Sequence, residues 1–193
     1  RSRGLGDVYK RQPIISTTTS RADRRFSWLT VEVALWMAIV IVAVGLRAYN
    51  LGWRLMQDSE AVQALSAWHF LQGEGAAATV NSPFLFTLNF FAFALFGGSE
   101  VAARLGPVLC GLALVILPVG LRRQLGRTGA LVAGALLALS PTALFFSRFV
   151  DGGIAVAAGA LAVAGGLFNY LEERRPGHLY LAAAGLSVAL TAG

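Results

Sequence analysis

Two carboxylates, Asp58 and Glu60, lie between a long apolar segment and a short helix that the sequence predicts over 58–72. Most of the chain downstream of them is apolar, so they are among the few ionisable groups that could do chemistry. A carboxylate can accept a proton from a reacting group. The structural alternative is that Asp58 caps the helix and that Glu60 interacts favourably with the helix dipole in the first turn.

The elements that must position these acids are apolar. The chain has 193 residues, of which 56% are hydrophobic and 13% charged, and its mean hydropathy is +0.64. Such a composition is typical of a multi-pass membrane protein and rare in a soluble domain. The net charge of +6 is divided among short loops, which favours membrane orientation over a nucleic-acid partner. Cys110 is the single cysteine, which excludes an internal disulfide and a cysteine zinc site.

The apolar runs predict an all-α, polytopic membrane helix bundle with five spans, the last one truncated. Two external amphipathic or interfacial helices are expected between the first and second spans. In the first of them, an apolar face that includes Leu65 and Trp68 opposes a side with Glu60, Gln63 and His69. The second begins at Ser82-Pro83 and is too short to cross a bilayer. The spans are predicted at 28–47, 101–121, 129–146, 152–171 and from 179 onward.

Small residues recur at four-residue spacing in three of the predicted spans, which allows helices to pack closely in lipid. This spacing accounts for Cys110 without assigning it any chemistry. The stripes are Ala102-Gly106-Cys110, Ala130-Gly134-Ala138 and Ala158-Ala162-Gly166.

Arginine-rich loops predict the orientation. If the segment 84–96 does not span, then the N-terminal arginines, 122–127 and 174–175 all lie on the cytoplasmic side. The loops 50–100 and 147–152 then face outside together. This topology predicts an integral plasma (inner) membrane protein with a cytoplasmic N-terminus, and it brings five ionisable residues to one external surface: Asp58, Glu60, Arg104, Arg148 and Asp151.

The domain organisation has three expected parts. Residues 1–12 are interpreted as a non-native, adapter-derived tail, because 7–12 can be back-translated to a sequence resembling a transposon end; a natural basic tail is the alternative. Residues 13–27 form a polar cytoplasmic lead-in, disordered or interfacial. Residues 28–193 form the transmembrane domain, whose final apolar run indicates truncation at the C-terminus.

Eight short motifs follow one another along the chain: Arg47-Ala48-Tyr49-Asn50-Leu51-Gly52, Asp58-Ser59-Glu60-Ala61, Ser82-Pro83-Phe84-Leu85, Phe96-Gly97-Gly98-Ser99, Ala103-Arg104-Leu105, Leu125-Gly126-Arg127, Leu139-Ser140-Pro141 and Phe146-Ser147-Arg148-Phe149. In this order they resemble the N-terminal part of a GT-C glycosyltransferase. The closest branches are the protein O-mannosyltransferase and aminoarabinose-transferase-like group, including "flippase activity-associated" relatives. The resemblance covers Trp28 to the end.

The resemblance implies catalytic roles for Asp58 and Glu60, as the base that accepts the acceptor's proton or as metal ligands. A divalent metal is left open as a cofactor. The family pattern has adjacent Asp and Glu, whereas Ser59 intervenes here. Glycosyl transfer also needs groups that neutralise and hold the leaving phosphate.

Candidates for substrate binding are spread over three predicted elements. Related enzymes carry Lys or His before the Pro-initiated helix, where this chain has Asn81, so His69 is considered as a compensating group. Arg104 and Arg148 could equally be interfacial anchors, Asp151 a helix cap and His69 an interfacial residue. The candidates are Arg104, Arg148, Asp151, His69 and Asn81.

The predicted function is a membrane glycosyltransferase that moves a sugar from a polyprenyl-phosphate carrier to an external acceptor by an inverting single displacement. The acceptor is a lipid, a glycan or a protein, membrane lipids surround the chain, and no nucleic-acid partner is expected. An enzyme is the favoured interpretation. The alternative from another class is a non-catalytic polyprenyl-lipid-binding or flippase-associated protein, and an ion-coupled transporter is a third.

Overall fold

Long apolar runs separated by short polar loops form helices in this chain, as their length predicts. The computed structural model describes residues 21–49, 51–52, 55–74 and 82–193. Within them there are helices and no strand, which confirms the all-α class. The helices are α1 (Arg21–Ala48), α2 (Asp58–Leu71), α3 (Pro83–Phe96), α4 (Glu100–Ile116), α5 (Arg122–Leu139), α6 (Pro141–Ser147), α7 (Gly153–Glu173) and α8 (Pro176–Ala192), with a 3-10 turn at Leu117–Val119.

The chain divides into two units, residues 1–34 and 35–193. The described part of the first unit is the beginning of α1. The polar residues 21–27, expected to precede the first span as a lead-in, belong to this helix. Arginine and alanine favour helix, and a helix once started extends at little cost per residue. The packing described below concerns the second unit.

Three helical segments are long and apolar enough to cross a membrane: Val31–Ala48, Glu100–Val119 and Gly153–Glu173. The bent pair of α5 and α6 provides a fourth if it is counted as one span. The described residues thus contain three or four candidate spans rather than the five expected. The fifth expected span corresponds to α8, whose 17 residues rise only about 26 Å against the ~30 Å hydrocarbon core.

The expected span over 129–146 is broken, and α5 and α6 meet at an angle of 60°. Pro141 has no N–H group, so the carbonyl of Leu137 cannot receive its usual helical hydrogen bond. Arg47 Nη2 donates to that carbonyl oxygen instead, at 3.3 Å. The hydroxyl of Ser140 accepts from the Ala143 N–H at 3.4 Å and begins α6. The break therefore follows from the Ser140-Pro141 pair.

Small residues allow close helix contacts, as predicted. The backbones of α7 and α8 approach so closely that a Cβ on Gly159 would lie 2.5 Å from the Gly185 oxygen. Ala158 and Ala162 are buried on the same side of α7. On α5, a Cβ on Gly134 would lie 2.6 Å from the ring of Trp36. The stripes therefore serve helix packing, and Cys110 is buried in the same way.

Polar contacts assemble the loops into two groups. The start of α2 and the connection before it contact α4 and the loop between α6 and α7. The segment 120–124 contacts the end of α7, near residues 169–173. The sides of a membrane that the charge pattern assigns to these loops stay a prediction. The first group contains the acidic candidates, and the second contains Arg122 and Arg123 and adjoins Arg127, Arg174 and Arg175.

The close contact of α7 and α8 gives the first prediction. We expect Gly159→Ala to destabilise the protein by about 1–3 kcal/mol, because the added methyl group meets backbone atoms that cannot move aside cheaply. Thermal unfolding in detergent measures this. Gly177→Ala is the control, since a Cβ there meets nothing within 4 Å. Equal unfolding temperatures for the two variants would contradict the close packing.

Candidate functional site

Helix α2 begins with a capping box formed by Gln57 and Glu60. The Gln57 N–H donates to Glu60 Oε2 at 3.1 Å, and the Gln57 side chain accepts from the N–H of Glu60. Gln57, rather than Asp58, is therefore the N-cap residue. Asp58 occupies the first helical position, where its carboxylate interacts favourably with the helix dipole. It is exposed.

Glu60 is completely buried, with 0% of its surface exposed, and it joins three segments. Its Oε1 accepts from the Val150 N–H at 2.8 Å, and its Oε2 lies 3.5 Å from Arg104 Nη2. Arg104 is 2% exposed and donates from Nη1 to the Leu51 carbonyl at 2.5 Å. Buried charges are costly unless they are paired and hydrogen-bonded, and these two are both. We call this set of contacts the Glu60 clasp.

The loop between α6 and α7 carries the next two candidates. Arg148 is half-buried and donates from Nη2 to the Tyr49 carbonyl at 2.6 Å, which ties the loop to the end of α1. Asp151 is exposed, and its Oδ2 accepts from the Gly153 N–H at 3.2 Å, at the start of α7. The Asp151 contact is the helix-start role that the sequence offered as an alternative to binding, whereas the Arg148 contact with a backbone carbonyl was not expected. Asp151 keeps carboxylate lone pairs for another partner.

A cavity of about 320 Å³ lies between the start of α2, the start of α3 and the loop before α7. Gln63 Nε2 donates to the Ser82 carbonyl at 2.8 Å along one side of it. Asp151 lines the cavity together with Ser59 and Ser82, so a carboxylate, serine residues and several backbone groups converge there. The other lining residues are Leu85, Val150, Gly152, Gly153, Val156, Ala192 and Gly193.

The candidates fall into three groups. Glu60 and Arg104 are in contact, and Arg148 and Asp151 are held near them through Tyr49 and Val150. His69 lies eleven positions after Asp58 in α2, about 16 Å along the axis, and its Nδ1 is 2.5 Å from Glu74 Oε2. Asn81 lies outside the described residues and directly precedes Ser82, which lines the cavity.

The described residues do not fit a metal site built from protein side chains alone. No group of three or more His, Cys, Asp and Glu side chains in this part of the chain lies close enough to hold an ion. The carboxylate of Glu60 is already engaged by two N–H groups and a guanidinium.

Sequence reasoning missed two polar residues. Arg47 is fully buried, and its Nε has no hydrogen-bond partner. An arginine within an apolar segment could have signalled this, but its position at the predicted end of the span suggested an interfacial residue. Gln63 was assigned to the polar outer side of α2, whereas it is buried and lines the cavity. Its spacing of three from Glu60, on the same helix face, was the available signal.

The geometry predicts different effects for the two acids of α2. We expect Glu60→Ala to cost about 3–5 kcal/mol of unfolding free energy, because Arg104 is left buried without its counter-charge. Asp58→Asn should change stability by less than about 1 kcal/mol, since Asp58 is exposed. Denaturant unfolding of the detergent-solubilised protein measures both. Equal losses from the two variants would contradict the burial of Glu60 in the clasp.

Comparison with known proteins adds an independent finding. Residues 80–192, more than half of the chain, match the family model described as dolichyl-phosphate-mannose-protein mannosyltransferase. No curated protein and no solved structure gives a match. The matched segment includes Asn81, Arg104, Arg148 and Asp151, while Asp58, Glu60 and His69 precede it. The resemblance to GT-C glycosyltransferases is thereby confirmed, and the chain belongs to this family of membrane glycosyltransferases.

Proposed function

We propose that this protein transfers a sugar from a polyprenyl-phosphate carrier to an acceptor on the external face of the plasma (inner) membrane. The chain belongs to a glycosyltransferase family, and one hydrogen bond of its structure supports this proposal most directly. The Glu60–Val150 hydrogen bond, at 2.8 Å, fastens the acidic segment of α2 to the loop of Asp151 beside the cavity that Asp151 lines. A transfer reaction requires the donor phosphate, the sugar and the acceptor hydroxyl to meet at one site. A cavity next to acidic groups at the end of a membrane helix bundle provides such a site.

Asp58 is the better placed of the two acids of α2 to touch a substrate. It is exposed, whereas the oxygens of Glu60 are occupied by Gln57, Val150 and Arg104. In our proposal the acceptor oxygen attacks the anomeric carbon and gives its proton to Asp58. The bond from that carbon to the phosphate oxygen breaks, and the polyprenyl phosphate leaves with the electron pair. Glu60 contributes by holding the segment in position.

The phosphate side of the site is assigned to the loop before α7. Arg148 is half-buried there and can supply a charge-assisted hydrogen bond to the leaving phosphate. Asp151 and Asn81 are assigned to the sugar, because one lines the cavity and the other adjoins a lining residue. Arg104 supports the site through Glu60 and Leu51. His69 is assigned to the membrane interface. The proposed proton transfer and bond cleavage do not involve a metal ion.

An apolar groove of about 400 Å³ runs along the other side of α2. Trp68 and Phe93 meet there edge to face, with ring centroids 5.8 Å apart. The groove also includes Met56, Ala61, Ala64, Leu65, Gly98, Ser99 and Glu100. An isoprenoid chain needs an apolar surface of this kind beside the site that holds its phosphate, and this groove is our candidate for it.

The proposal predicts that Asp58→Asn lowers transfer of labelled sugar from a polyprenyl-phosphate donor by at least about 100-fold, the usual contribution of a positioned base. The assay uses membrane vesicles that contain the protein, and the amount of folded protein is measured alongside. Glu74→Gln is the matched control, because Glu74 is an exposed acid near the other end of α2.

Transfer by Asp58→Asn at the rate of the unaltered protein would contradict the proposed base. Binding of the labelled carrier with no transfer from any donor would favour the alternative, a non-catalytic polyprenyl-lipid-binding protein. The engagement of Glu60 in structural contacts is the observation that favours that alternative.

A further inference from the structure

The end of the bundle formed by the loops after α4 and α7 is strongly cationic. Five arginines lie there against two acids, Glu172 and Glu173, which leaves three net positive charges when His178 is neutral. Arg123 and Arg175 are mostly exposed, and Arg127 and Arg174 are exposed as well. The arginines are Arg122, Arg123, Arg127, Arg174 and Arg175.

These loops are held in a defined arrangement. Glu173 contacts Arg123, lies 3.4 Å from Arg175 Nε and lies 3.1 Å from His178 Nε2. Asn169, one turn earlier in α7, donates to the Gly120 carbonyl at 2.9 Å and accepts from Gln124 Nε2 at 3.1 Å. Glu173 is thus used to join the loops and is 17% exposed, so it offers little negative charge to the surroundings.

An apolar groove of about 440 Å³ begins at this end. Gly120 and Asn169 line it at the level of the cationic loops, and Ala113, Leu161 and Leu181 line it further along the helices. Ala113 and Gly120 are seven positions apart, across the end of α4 and the 3-10 turn, so the groove extends about 10 Å from the loops into the bundle. Its walls come from the candidate spans α4 and α7 together with α8.

We propose that this groove and the adjoining arginines form a binding site for an anionic phospholipid. The lipid phosphate contacts the arginines, and one acyl chain lies in the groove. Charge complementarity selects the ligand, because a basic pocket between helices next to the membrane surface suits an anionic head group. The apolar wall requires a ligand that carries a chain, which a free phosphate lacks. The inference is independent of the proposed transfer reaction.

Lipid binding to the purified chain in a neutral detergent tests the proposal, with phosphatidylglycerol, phosphatidylcholine and glycerol 3-phosphate as probes. Two variants remove different halves of the site. The triple variant Arg122→Gln/Arg127→Gln/Arg174→Gln removes charge, and Ala113→Phe fills the groove. Ala160→Phe is the control, because Ala160 is an exposed alanine of α7 outside the groove. Native mass spectrometry counts bound lipid, and thermal unfolding reports the fold.

We expect phosphatidylglycerol to bind at least about tenfold more weakly to both site variants and unchanged to the control. Glycerol 3-phosphate should not displace it, and phosphatidylcholine should bind more weakly than phosphatidylglycerol. The proposal is overturned if Ala113→Phe binds phosphatidylglycerol like the unaltered chain, or if glycerol 3-phosphate displaces the lipid at comparable concentration. If the triple variant fails to fold, Ala113→Phe and the competition decide the result.

Discussion

The buried ion pair of Glu60 and Arg104 is the interaction on which the acidic end of this molecule depends. Two charges withdrawn from solvent are costly unless they are paired and held by further hydrogen bonds. The Val150 N–H and the Leu51 carbonyl supply such partners. Because the ion pair and its hydrogen-bond partners come from different segments, they fix the connection after α1, the start of α4 and the loop before α7 relative to one another. The cavity lined by Asp151 lies where these segments meet α3.

Arginines that hold backbone carbonyls recur in this fold. Arg104 and Arg148 donate to carbonyls of the connection after α1, and Arg47 donates to the carbonyl of Leu137, which Pro141 leaves without a helical partner. Irregular backbone at membrane depth needs such internal partners, because no water is available there. A glycine in α4 makes room, since a Cβ on Gly111 would lie 2.9 Å from Arg47 Nε. The buried arginines therefore stabilise the non-helical parts of the bundle.

Local sequence patterns predicted the helices well. They did not predict which side chains are buried by contacts with distant parts of the chain. The start of α2 at Asp58 follows from turn and helix signals close in sequence. The orientation of α2 does not follow from these local signals, because Glu60 and Gln63 are buried while Leu65 is 53% exposed. The rule that the apolar face turns inward fails for α2 because Glu60 finds its partners, the Val150 N–H and Arg104, inside the bundle. The break at Pro141 was visible in the sequence, but the apolar run 129–146 had the length of a single span.

A double-mutant cycle on Glu60→Gln and Arg104→Gln is the sharpest test of whether the buried ion pair holds this end of the bundle together. The unfolding free energies of the two single variants, the double variant and the unaltered protein are compared in detergent. We expect a coupling of at least about 1 kcal/mol, because each single substitution leaves a buried group without its partner and the double substitution removes both charges. Additive losses would show that the two side chains do not interact and would contradict the Glu60 clasp.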